Sequence, residues 1–347
     1  MSAVRGRGSA DPPFPGESTA VARELGRGRL VEGLPNGRPQ RILHLDATDA
    51  PPSLIGRLLV GSYITGQDQV VVTGRGGLSP AHRSEIHRVV DRLLGMTVVD
   101  DRPSAIEIQN FVDPGKYELP RLLHRVVEML QDELVSCHDA LTGRRPASLE
   151  ALDLIEEEVD RLYLLMARQL LLSSEDSRVA HDIDVESHHY QIGYRLVAKA
   201  LEVTGDLIHG IGTELRQNLV GLRRMPEALG QELALRIRRL GDVLGRTMSA
   251  FVSLSVLDAD ATLNRISEAL RTDACLGQLI ARSTPERPVA VSAQRIVCNL
   301  MMGLEMLVIV NEVTINRSVE PEPATRGGSR VSLVVPRESR SRPTPSA

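Results

Sequence analysis

This chain of 347 residues has no tryptophan, three phenylalanines and five tyrosines. With so few rings, its cores must be built from Leu, Val, Ile, Ala and Met. Surfaces that stack bases or sugars on aromatic faces are not expected. Lysine occurs only at Lys116 and Lys199, so nearly all positive charge is arginine, which reads mainly as coding bias. The net charge is only −4, and no global excess calls for nucleic acid or an anionic membrane as partner. Cys137, Cys275 and Cys298 form no C-x-x-C and suit buried free thiols in a reducing cytoplasm. The opening MSAVRGRGSADPP lacks the apolar core of a signal peptide. The most apolar run, residues 300–310, is too short for a bilayer and contains Glu305. A cytoplasmic protein without a membrane span is expected.

Catalytic signatures are missing as well. Gly74, Gly76 and Gly77 match neither G-x-G-x-x-G nor a Walker A loop, so TGRGG reads as a turn. His82 and His87 have no partnered acid and serine. No nucleophile–base pair stands out, and no enzyme is expected; a di-metal hydrolase built on carboxylates is a remote third reading.

What is present divides the chain. Residues 1–40 are rich in Gly, Pro, Ser and Arg and read as a basic disordered leader or a reduced DNA-binding element. Residues 41–112 alternate strand and helix signals in the order β-α-β-α-β-β, a small α/β domain. Ser79-Pro80 opens its second helix and Gly95 ends it. Asp113-Pro114-Gly115 marks a boundary. Residues 115–318 then carry helical periodicity over 118–141, 149–172, 190–219, 227–257, 259–281 and 292–317. Short connections between six helices fit antiparallel bundles. Residues 319–347 read as a disordered tail. The fold class is therefore mainly α, with a small N-terminal α/β domain ahead of the helices.

The densest feature is the helix over 149–172. Leu149, Leu152, Ile155, Val159, Leu162, Met166 and Leu170 make one apolar stripe, and Glu156 and Asp160 stack beside it. Acids four apart occur in five places along the chain, against about six by chance, so number alone means nothing. Three pairs adjoin inward stripes: Glu128/Asp132, Glu156/Asp160 and Glu202/Asp206. Inward carboxylates are costly unless paired, protonated or bound to a cation, and oxygen-rich clusters on neighbouring helices suit hard cations or iron. Acids on helix flanks paired with arginine are the plain alternative. His209 shares a face with Glu202 and Asp206 and is a further candidate ligand.

The runs LIEEEVDRLYLLMARQL (154–170), YRLVAKALEVTGDLIHGI (194–211) and EVTINR (312–317) resemble the PhoU phosphate-signalling regulators, in the archaeal-type versions that carry a domain ahead of the helices. The resemblance implies two tandem three-helix bundles and E/D-x-x-x-D motifs able to hold divalent metal or iron. By position these fall on Glu156 and Asp160, and on Glu202 and Asp206, with Glu128 and Asp132 as companions. It also implies a homodimer that docks on a phosphate-specific ABC transporter or a sensor kinase. The last helix lacks the usual acidic motif, and residues 260–264 give only D-x-x-x-N, so a second-bundle site is expected to be weak. Archaeal-type relatives often begin with an AbrB-like DNA-binding hairpin. Residues 27–46 read as its eroded remainder, which keeps an AbrB-like transcription regulator with a helical dimerisation and sensor domain as the alternative function.

Overall fold

The computed structural model describes residues 26–31, 40–143, 149–185 and 187–319, so most of the expected leader and nearly all of the expected tail lie outside the described residues. The chain is mainly α, with a small α/β unit ahead of a helical region.

The α/β unit follows from period-two strands and two proline-started helices. Strands β2 (Gln40–Asp46), β3 (Gln69–Thr73), β4 (Met96–Arg102) and β5 (Ala105–Asn110) alternate with helices α1 (Pro52–Ile64) and α2 (Pro80–Val90) as expected. Val70 and Val72 of β3 and Ile106 and Ile108 of β5 all turn to one face. There they share a core with Ile55, Leu59 and Tyr63 of α1 and Ile86, Val89 and Val90 of α2. Pro80 takes a first-turn position of α2, and the Ser79 side chain accepts a hydrogen bond from the His82 amide at 3.3 Å.

One strand lies ahead of the expected boundary. Gly26–Val31 forms β1, antiparallel to β2, and the five-stranded sheet runs β1-β2-β3-β5-β4 with β2 and β3 its parallel pair. Its glycine–arginine sequence gives no strand signal, because an edge strand needs only a free backbone to pair with. The resulting β1–β2 hairpin covers part of the proposed AbrB-like remainder, but β2 is built into the α/β sheet rather than standing apart as a separate domain.

The turn into β4 needs glycine. Gly95 has φ +86, and a Cβ there would run into the Val112 side chain. Gly95→Ala is expected to cost about 1–3 kcal/mol of stability. An unchanged urea midpoint would refute this.

The helical region comprises α3 (Leu119–Thr142), α4 (Leu152–Ser173), α5 (Ser177–Asp182), α6 (His188–Arg223), α7 (Glu227–Ser253), α8 (Val256–Ser283) and α9 (Arg287–Ser318). Helices α3, α4 and α6 pack as one trio and α7, α8 and α9 as another. The trios also meet through α3–α7 and α6–α9, so one continuous core serves all six long helices. The short α5 lies in the connection between the expected helices 149–172 and 190–219; the Asp176 carboxylate caps it by accepting from the Arg178 amide at 2.9 Å.

Two expectations need correction. All three cysteines are free, but only Cys137 is buried; Cys275 and Cys298 occupy outer faces of α8 and α9. The apolar run expected to be too short for a bilayer belongs to α9, the one helix among the described residues long and apolar enough to cross a membrane. Half of its most apolar window is buried within the bundle, as in a core helix of a helical protein.

Candidate metal centre

Helix α4 is buried on two sides. Its expected stripe, with Leu152, Val159, Leu162, Met166 and Leu170, lies in the bundle core. A second row spaced by four, Glu156, Asp160, Leu164, Arg168 and Leu172, runs along the seam with the α/β unit. Leu164 packs against the α/β core. Arg168 is 1% exposed, and its Nη1 donates to the carbonyls of Tyr63 at 2.7 Å and Gln67 at 2.9 Å. Its Nη2 donates to Asp68 Oδ1 at 3.4 Å, and the guanidinium lies 5.1 Å from the centre of the Tyr63 ring. Beside it, Gln169 Nε2 donates to the carbonyls of Pro114 at 2.7 Å and Tyr117 at 2.6 Å, which ties down the linker between the two units.

At the other end of this row the carboxylates converge. One oxygen each from Glu156, Asp160 and Asp206 lies within 4.8 Å of the others. Oxygens bound at about 2.0–2.6 Å to a common cation fall within that span, and an all-oxygen donor set suits a hard cation. Gly205 permits the approach of α6 to α3 and α4: a Cβ there would stand 3.2 Å from Leu130 Cδ2 and 3.3 Å from Val159 Cγ1. Glu202 is one turn before Asp206, receives a hydrogen bond from Lys199 and lines the same cleft as Asp160.

The electrostatics agree with the crowding. Burial holds the Glu156 carboxyl above its ordinary range, and repulsion from Asp160 adds to the shift. Asp206 is exposed at its outer edge, yet burial of the rest and then Asp160 raise it too. Burial also raises Glu202, against the pull of Lys199. Positive charge close to the cluster comes from Arg92, ion-paired with Asp160, and from Lys199.

The other candidate residues stand apart. Glu128 and Asp132 are exposed on the outer side of α3, with Glu128 facing His124 at 3.4 Å, and neither joins the trio. The inward register of α3 falls one residue later, on Met129 and Glu133, about 100° around the helix. The acid of α3 that does turn inward is Glu133. It is 1% exposed, and neither of its carboxyl oxygens has a hydrogen-bond partner. Burial, with Glu156 as the second cause, pushes its pKa up to about 8. The spacing Leu130, Glu133, Cys137 placed it in the apolar register, a signal that was readable in the sequence. His209 also stays outside the trio, with Nε2 3.5 Å from Asp153. Asp153 itself is bound by Arg216 through two hydrogen bonds of 3.0 and 3.1 Å, which lower its pKa. In the second trio of helices, Asn264 donates to Asp260 at 3.3 Å on an exposed face, and no second cluster of three ligands occurs among the described residues.

The carboxylates of Glu156, Asp160 and Asp206 therefore form a compact acidic centre on the bundle, with the donor set to hold a cation. No protein-family model, curated protein or solved structure matches the chain, so the comparisons assign it to no family.

Proposed function

We propose that this chain is a non-enzymatic regulator of phosphate uptake or phosphate signalling, of the kind its resemblance to PhoU implies. It acts in the cytoplasm as a homodimer, docking through helical surfaces on a phosphate-specific ABC transporter or its sensor kinase. A divalent cation or iron sits on the acidic face. The observation that carries the cation reading is the convergence of Glu156, Asp160 and Asp206 next to a buried carboxyl, Glu133, that has no partner. Negative charge gathered in a partly buried place is costly, and a bound cation offsets that cost. The partners rest on the resemblance alone.

Metal analysis of the purified protein tests the cation. The wild type is expected to carry metal in a fixed ratio, and Glu156→Gln combined with Asp206→Asn to lose it. Equal content in the two proteins would remove the site. Pull-downs under phosphate limitation and repletion test the partners; recovery of neither transporter nor kinase under both conditions would sink that part of the reading.

A further inference from the structure

We propose that the cation centre and the docking of the α/β unit compete for Asp160, so that Arg92 is a latch which a bound cation releases. This rests on the cation reading above. Arg92 lies in the turn after α2 and reaches across the seam to ion-pair with Asp160 Oδ2. Asp160 is also one of the three carboxylates that converge on the candidate cation position. A dication there stands one carboxylate away from the guanidinium. Two cations sharing one carboxylate repel, and each weakens the hold of the other.

The seam is built so that this end can respond. At the Arg168 end it is closed by hydrogen bonds from Arg168 to the carbonyls of Tyr63, at the end of α1, and of Gln67 beyond it, and by Leu172 against Gly66. At the Asp160 end it opens into a cleft of about 430 Å³ lined by Gly56, Arg57, Val60, Arg92, Asp160 and Glu202. Arg92 keeps 44% of its side chain exposed, so the guanidinium has room to withdraw into solvent. Release of the latch loosens α2 and its following turn while Arg168 holds the pivot. Linkage makes the effect reciprocal: whatever separates Arg92 from Asp160 strengthens cation binding by the same factor.

Calorimetric titration with Mn²⁺ alone, paired with amide hydrogen exchange over residues 84–94, tests this on the full chain. Wild type, Arg92→Gln and the double variant Glu156→Gln with Asp206→Asn are compared, with thermal melts showing that each is folded. Arg92→Gln is expected to bind Mn²⁺ about fivefold tighter than wild type, in line with a partly exposed ion pair. Exchange over 84–94 is expected to rise when Mn²⁺ is added to wild type and to start high in Arg92→Gln. If wild type binds Mn²⁺ and the double variant does not, while Arg92→Gln matches wild type in affinity and exchange, the latch is overturned and the cation site stands. If neither wild type nor Arg92→Gln binds Mn²⁺, the cation site fails and the latch falls with it.

Discussion

Arg168→Met is expected to lower the free energy of unfolding by about 3–5 kcal/mol, the range for removing one member of a buried charged network. Methionine has comparable length, so loss of volume is a small part of the effect. The loss comes from what the guanidinium was holding. The carbonyls of Tyr63, in the last turn of α1, and of Gln67, three residues beyond the helix, accept from Nη1. The positive charge also sits favourably at the negative end of the α1 dipole. Removing it takes the side-chain donor from the Gln67 carbonyl and one of two donors from the Tyr63 carbonyl, which keeps the Gly66 amide at 3.1 Å; an unmade bond at such an acceptor costs about 1–3 kcal/mol. Urea denaturation checks the prediction, with Arg178→Met as the control. Arg178 keeps 69% of its side chain exposed, and its loss is expected to cost under about 0.5 kcal/mol. A change below about 1 kcal/mol for Arg168→Met would show that the seam does not depend on this residue.

Glu133→Gln is expected to lie within about 1 kcal/mol of wild type near pH 5 and to gain about 4 kcal/mol on it by pH 8.5. The folded pKa of Glu133 is about 8, against an ordinary value of 4.5. Below pH 4.5 both folded and unfolded chains hold the proton, so the group contributes nothing to pH dependence. Between 4.5 and 8 the unfolded chain releases it while the folded chain keeps it, and stability falls as pH rises. Above 8 the folded chain ionises as well, and the full penalty of a buried carboxylate remains. Glutamine keeps the shape and never ionises, so this share of the pH dependence vanishes. Glu156, Glu202 and Asp206 are raised in the same direction and leave a smaller residual slope. Urea melts at pH 5, 7 and 8.5 decide it; a difference between variant and wild type that is the same at every pH would refute the assignment.

Local patterns were readable because they are written in period and punctuation. The stripe from Leu149 to Leu170 predicts both that α4 is a helix and which of its sides enters the bundle. Ser79-Pro80 starts α2 where capping predicts, but the helix ends at Val90, short of Gly95, whose backbone freedom serves the turn into β4. The pairing of Glu156 with Asp160 was also visible. Asp132 and Glu133 are neighbours, and a pattern of acids four apart selects the exposed one. The apolar register of α3 selects the buried one, and burial is what shifts a pKa.

The sequence by itself determined four of the five strands and both helices of the α/β unit, the six long helices and the bundle-facing stripe of α4, because these depend on residues a few positions apart. Only the tertiary structure decided that α4 has two buried sides, that Asp206 from α6 completes a trio with Glu156 and Asp160, and that Arg168 and Arg92 carry the seam. Those pairings join residues 46 to more than 100 positions apart in chains of contacts that no local period encodes. An arginine such as Arg168, counted from composition as a surface charge, becomes a buried clasp only when a second domain brings carbonyls to meet it.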